Sequence, residues 1–214
     1  MKKGRIVILI VILTALIIPS TIFIINMTEI GFNVEDRYDD SILNSMGVLY
    51  DDRSDINAFN EGYSETASCP WGFIHNGIDY FLNNDSVVIA AASGKVESFE
   101  FRDNGEEEAN RYHIRINIRF NKSTVLGYNF EPWTNKSEDR DHLADLFTVE
   151  VGNWVEKGDQ IGIFLNIGGG AHIHFDVIEK NDRSCPQKYF GTADYIEIME
   201  MIHSFNPSWE LCYV

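Results

Sequence analysis

Hydrophobic and polar positions divide the chain into two textures. An uncharged apolar run extends from Ile6 to Ile25, preceded by Lys2, Lys3 and Arg5. Its twenty residues, at about 1.5 Å each as a helix, reach roughly the 30 Å of a bilayer core. The basic flank predicts a cytoplasmic N-terminus and places the rest of the chain outside. A cleaved signal peptide is the alternative, with a secreted product, but its apolar core would be shorter and a small-x-small site should follow. No good site follows Ile25, and the reading is an uncleaved transmembrane helix within an anchor at 1–26. Residues 27–66 are rich in Asp, Asn and Ser with isolated apolar positions, and read as an acidic stalk with one short helix around Ser41–Met46.

From Ala67 onward, short apolar stretches alternate with Gly, Asn and Asp clusters, the pattern of an all-β domain. Strands are predicted over Gly77–Phe81, Ser86–Ser93, Gly94–Arg102, Tyr112–Phe120, Ser123–Phe130, Asp159–Leu165 and Ala171–Glu179. Within Tyr112–Phe120, His113, Arg115, Asn117 and Arg119 take one face, and Ile114, Ile116, Ile118 and Phe120 the other. That alternation predicts a sheet with one solvated face. Asp103–Asn110 reads as a hairpin loop and Asn135–Asp141 as a polar loop. Tyr195, Ile198, Met199 and Ile202 recur at helical spacing and predict a helix over Asp194–Phe205. The expectation is a mainly β protein: a twisted antiparallel β-sheet or β-sandwich domain over 67–190, a short C-terminal helix and tail over 191–214, and the N-terminal transmembrane helix before them.

Composition changes this picture little. Hydrophobic residues make up 44% of the chain, enough for a packed core. The net charge of −16 argues against a nucleic-acid-binding surface, which needs basic patches. Outside the cytoplasm, the three cysteines Cys69, Cys185 and Cys212 allow one disulfide. Cys185 with Cys212 would pin the tail; Cys69 with either is the alternative. Glycosylation triplets begin at Asn26, Asn84, Asn121 and Asn135, permissive for an outside location.

Candidate chemistry concentrates in two segments, His75-Asn76-Gly77-Ile78-Asp79 and Ala171-His172-Ile173-His174-Phe175, the second preceded by Gly168-Gly169-Gly170. Only six histidines occur in the chain, and three fall here. Zinc ligands sit about 2 Å from the ion, whereas residues four apart on a straight strand are about 13 Å apart. His75 and Asp79 therefore need a bend between them to share an ion, and Gly77 permits one. The two histidines of His-Ile-His lie on one strand face, about 7 Å apart, and only one need ligate. The other is free to act as an acid or base beside the metal. Two histidines, one aspartate and an open position make a catalytic rather than a structural zinc site.

These segments resemble the lysostaphin/LytM-type zinc endopeptidases, whose pattern is His-x-Gly-x-Asp followed much later by His-x-His. The first motif stands as HNGIDY at 75–80 and the second as HIHFDV at 172–177. VVIAAASGKVESF at 87–99 and VEVGNWVEKGDQIGIF at 149–164 resemble further stretches of that family, so the resemblance covers roughly 70–180. It implies that His75, Asp79 and His174 ligate one Zn2+, and that His172 is a catalytic histidine polarising a water or stabilising an oxyanion. It also implies a twisted antiparallel sheet with the site in a groove between loops. The family carries a second catalytic histidine in a Tyr-x-His-Leu segment. The corresponding strand here reads GYNFEPW at 127–133, with Phe130 where that histidine is expected. His142, in Asp141-His142-Leu143, and Glu131 are the two candidate replacements. His113 and His203 are read as structural or solvated.

The function so implied is a membrane-anchored, extracytoplasmic zinc metallo-endopeptidase acting on peptide or cell-wall and surface-polymer cross-links. A catalytically degenerate member that binds without cutting is a second expectation. A biotinyl/lipoyl-like barrel adaptor is a third, suggested by AASGKV and VGNWVEKGDQIG. It lacks the long heptad helices of such adaptors and leaves the histidine motifs without a purpose.

Overall fold

The computed structural model describes residues 41–106 and 108–214. The apolar run at 6–25, and with it the expected transmembrane helix, lies outside the described residues. No helix among the described residues is long and apolar enough to cross a membrane.

An eight-stranded antiparallel sheet organises the domain. Its centre is built from β3 (Ile78–Leu82), β10 (His172–Glu179), β7 (Thr124–Glu131), β6 (Tyr112–Arg119) and β5 (Gly94–Asp103), side by side in that order. The edges are β1 (Ile56–Ala58) beside β3 and β8 (Trp154–Val155) beside β5, and β11 (Asp182–Arg183) also pairs with β10. Two small sheets complete the strands. One pairs β2 (Tyr63–Ser64) with β12 (Cys212–Tyr213) in parallel, and the other pairs β4 (Val87–Ile89) with β9 (Gln160–Ile163).

Period-two alternation explains the central strands. Ile114, Ile116 and Ile118 on β6, Leu126, Tyr128 and Phe130 on β7, and Ile173, Phe175 and Val177 on β10 all turn to one face and are almost fully buried. Register stacks them across the sheet, Ile116 opposite Tyr128 and Tyr128 opposite Phe175. The predicted strands match in position, with ends moved by one to a few residues. The C-terminal helix is also present, as Thr192–Phe205, burying Ile198, Met201 and Ile202.

Four expectations are corrected. The stretch 41–66, read as the second part of a stalk, packs into the core through Leu43, Met46, Leu49, Tyr50, Ile56, Phe59 and Tyr63. It does so as irregular chain and very short elements, β1 and β2 among them, tied to distant backbone, with Met46 N–H donating to Tyr189 O at 2.8 Å and Gly47 N–H to Ala91 O at 2.7 Å. Its apolar residues therefore follow no period that a sequence window detects. For the same reason there is no helix over Ser41–Met46. Asn135–Asp141, read as a loop, instead enters the helix α1 (Ser137–Asp145), which buries only Leu143 and so shows no amphipathic stripe. Finally, the polar face of β6 is not solvated: His113, Arg115 and Asn117 are all buried. They interlock with polar side chains of neighbouring strands, which replace water as partners.

The C-terminal helix is α2, 14 residues long, and α1 has nine. No long helical hairpin of the adaptor type is present among the described residues. The Asn121 triplet is occupied structurally. Its carboxamide Oδ1 accepts from Ser123 N and Thr124 N, and its Nδ2 donates to Ser41 O. Cys185 and Cys212 form the disulfide, and Cys69 is free. The bridge closes a 27-residue separation and holds β12 beside β2. Cys185→Ser is expected to lower unfolding free energy by about 2–4 kcal/mol. Urea denaturation of oxidised wild type beside the variant measures this; equal midpoints would show that the tail is held without the bridge.

Candidate metal centre

Among the described residues, one group of His, Cys, Asp and Glu side chains is placed to share an ion: His75, Asp79 and His174. Their candidate donor atoms all lie within 4.8 Å of one another. Register creates this meeting. Asp79 on β3 stands directly opposite His174 on β10, on the polar face of the sheet. His75 precedes β3 and is held by paired backbone bonds to Ser64 of β2. The chain bends between His75 and Ile78, bringing His75 Nε2 to 3.3 Å from Asp79 Oδ1. Gly77 contributes by what it lacks. A Cβ there would lie 2.7 Å from Cε1 and Nε2 of His174, so the imidazole takes that space.

Hydrogen-bond partners assign the tautomers. His75 Nδ1–H donates to Gly62 O at 2.7 Å, leaving the Nε2 lone pair toward the cluster. His172 Nδ1–H donates to Gly170 O at 2.7 Å, which likewise frees Nε2. His174 is turned the other way: its Nδ1 faces the cluster, donating to Asp79 Oδ1 at 2.9 Å and lying 3.0 Å from His75 Nε2, and a metal ion would take the place of that proton. Two imidazole nitrogens and one carboxylate oxygen, each oriented by a fixed neighbour, fit the donor set and outer-shell pattern of a zinc site. The open side faces His172, whose Nε2 lies 3.7 Å from Asp79 Oδ2 and 3.7 Å from Glu131 Oε2.

Glu131 ends β7 directly opposite His172. Its carboxylate accepts from the side-chain amides of Asn110 and Asn129, and His113 lies 4.0 Å away. Phe130, by contrast, points to the core, as does every residue of its parity on β7. A histidine at position 130 would not reach the site, and the equivalent site-facing position is Glu131. His142 is exposed on α1 and makes none of the contacts of this cluster.

Sequence reasoning missed two titratable neighbours, His113 and Glu61. His113, read as structural or solvated, is buried beside Glu131, its Nδ1 3.0 Å from Asn129 Oδ1. Strand parity on the polar faces of β6 and β7 could have grouped His113, Asn129 and Glu131. Glu61 lies in the segment read as stalk, and no sequence signal marked it. Burial, with the Asp79 carboxylate beside it, pushes Glu61 up to about 7.

Burial works against a charged His75, but the Asp79 carboxylate, the Gly62 carbonyl and Glu61 outweigh it and raise the imidazole to about 9. Asp79 is buried, yet the imidazoles of His174 and His75 hold its carboxyl far below the usual range. The sign for His75 follows from a folded value above the ordinary 6.5. In protein stripped of metal, its contribution to stability is full below about 6.5 and is lost as pH rises through about 9. A zinc ion held there would compete for the same lone pair, so zinc affinity should rise over that window as the proton leaves. Calorimetric titration at pH 6.5 and pH 9 in buffers of different ionisation enthalpy measures proton release. Binding without proton release at the lower pH would contradict the assignment.

Apolar residues rim the site. Trp133, partly exposed and held at φ 62°, has its ring 6.1 Å from that of His172. Phe73 is exposed and lies 6.2 Å from the His75 ring.

No protein-family model and no curated protein matches the chain. Solved structures do match it. The antimicrobial peptidase lysostaphin from Staphylococcus simulans is 18% identical with a TM-score of 0.46, over 72% of this chain and 56% of that one. Csd3 of Helicobacter pylori is 18% identical with a TM-score of 0.46, over 73% and 38%. A zinc containing peptidase from Vibrio cholerae is 20% identical with a TM-score of 0.40, over 64% and 39%. The chain thus spans less than two thirds of the length of each.

Proposed function

We propose that the protein is a zinc metallo-endopeptidase, held at the outer side of a membrane by residues 1–26, that hydrolyses peptide bonds in cell-wall or surface-polymer cross-links. The convergence of His75, Asp79 and His174 on one point, with His172 and Glu131 facing its open side, carries the reading. The basic flank and apolar run at 2–25 support the anchor and its orientation.

A bound zinc would supply Lewis acidity, acidifying a water and polarising the scissile carbonyl. The chain's own residues supply positioning and proton transfer. Gly62 O, Asp79 and Gly77 hold the imidazoles at fixed angles, so no reorganisation accompanies reaction. Glu131 is the proton acceptor: its carboxylate, fixed by Asn110 and Asn129, takes the proton of the attacking water and delivers it to the leaving amine. His172, with Nδ1 tied to Gly170 O, presents Nε2 to the same space and donates to the developing oxyanion when protonated. Trp133 and Phe73 offer apolar walls to an extended peptide.

The test is to incubate the zinc-loaded full chain with glycine-rich and mixed peptides and isolated cross-linked wall peptides, scoring new amino termini. Hydrolysis that disappears in Glu131→Ala and His172→Ala supports the proposal. One observation favours a second reading, a binding module that does not cut. Glu131, in the place of a histidine, already has both carboxylate oxygens engaged by amides. Stoichiometric zinc with no new termini from any substrate would move the assignment there.

A further inference from the structure

Beneath the metal centre the polar face of the sheet holds a second cluster that the proposed chemistry does not use. Arg115 on β6 and Asp176 on β10 are both buried, their side chains 5% and 1% exposed. They form a bidentate pair, with Nη1 to Oδ2 at 2.9 Å and Nη2 to Oδ1 at 2.7 Å. Arg183 on β11 adds a third bond, Nε to Oδ2 at 3.0 Å, and Asn117 Oδ1 accepts from Arg115 Nε at 2.9 Å. The pair reaches across β7, which lies between its two strands, and it does so over Gly127. A Cβ at Gly127 would lie 1.7 Å from Arg115 Nη2. Glycine weakens a strand interior, so its presence there marks the space given to the guanidinium.

A buried ion pair is weak as a stabiliser, because desolvation of both charges offsets their attraction. Its position points to another role. His174 and Asp176 are two apart on β10 and share a face. His174 Nε2 lies 3.8 Å from Asp176 Oδ2. His174 is also the imidazole that presents Nδ1 to the cluster, and a neutral imidazole that ligates through Nδ1 carries its proton on Nε2. The other two histidines secure their tautomers through backbone carbonyls, whereas Asp176 is the carboxylate within reach of His174 Nε2.

We infer that Asp176, clamped by Arg115 and Arg183 across Gly127, is the outer-shell carboxylate that fixes the ring angle and Nε2–H tautomer of His174 for metal binding. These are positioning residues. The two guanidiniums point both carboxylate oxygens and prevent Asp176 from swinging toward the ion itself. The inference rests on the zinc reading above.

The experiment measures zinc affinity of the full chain by competition with a chromophoric chelator, for wild type, Asp176→Asn, Arg115→Met and Arg183→Gln. Melting temperatures of the zinc-free proteins are taken alongside. Loss of such a partner weakens metal affinity by about 10- to 100-fold. Asp176→Asn and Arg115→Met should show it, and Arg183→Gln a smaller loss. A merely structural pair would lower the melting temperature and leave zinc affinity within about twofold of wild type, which would overturn the inference. Should the buried variants not fold, 15N-histidine NMR of zinc-loaded wild type decides. His174 protonated at Nε2 and protected from exchange upholds it; His174 protonated at Nδ1, or exchanging freely, overturns it. Wild type that folds but holds no zinc would reject the metal reading itself, and this inference with it.

Discussion

His174→Ala is expected to take the full chain from close to one zinc per molecule to close to none. The substitution removes one of the three proposed ligands and leaves Asp79 without one of the two imidazoles that hold its charge. A site reduced to His75 and Asp79 retains too few donors to compete for zinc at ordinary concentrations. The loss should also appear in stability. With free zinc at a thousand times its dissociation constant, binding adds about 4 kcal/mol to wild type. For a unit of this size that corresponds to roughly 8–16 °C in melting temperature. Elemental analysis after gel filtration, and melting with and without zinc, check both statements. Zinc retained by His174→Ala, or a melting temperature of wild type indifferent to zinc, would rule out a metal centre built on His174.

Phe130→His is expected to destabilise the domain by about 3 kcal/mol and to add no activity. The phenyl ring is fully buried, 4.9 Å from the Phe147 ring. Its replacement forfeits apolar burial and brings in ring nitrogens among core residues that offer no partner. Glu131→Ala should act in the opposite way. Under the proposed mechanism, zinc content stays near that of wild type while turnover falls by about 10²- to 10⁴-fold, as expected on losing a general base. Freeing the amides of Asn110 and Asn129 costs it about 1–3 kcal/mol of stability. Urea unfolding, metal content and initial rates separate the two residues. A stable and more active Phe130→His would mean that β7 is registered one residue away from the pairing seen here.

The chemistry was the most legible part of this chain. Histidines are rare, and His75, Asp79, His172 and His174 stand at spacings that a bent segment and a strand place on one side. Parity on β6, β7 and β10 was equally legible, since alternation is a property of a few neighbouring residues. The histidine expected at Phe130 shows where alignment failed and parity would have succeeded: position 130 shares the face of Tyr128, whereas 129 and 131 turn to the polar face that carries the site. His142 looked a fit replacement because His-Leu is a short pattern, but an exposed helical residue without contact to the cluster has no route to it.

The sequence alone determined the succession of the central strands along the chain, the apolar face of β6, the ligand trio as an expectation, and the apolar run at 6–25. These are local: period, charge and motif spacing are written in neighbouring residues. Only the tertiary structure decided that 41–66 belongs to the domain and brings Glu61 and the Gly62 carbonyl to the site. It also decided that the polar face of the sheet is buried, that Glu131 rather than His142 faces His172, and that Cys185 pairs with Cys212. Each depends on contacts between residues far apart in the chain. A hydrophilic side chain reads the same whether water or a distant guanidinium satisfies it, and packing alone chooses between them.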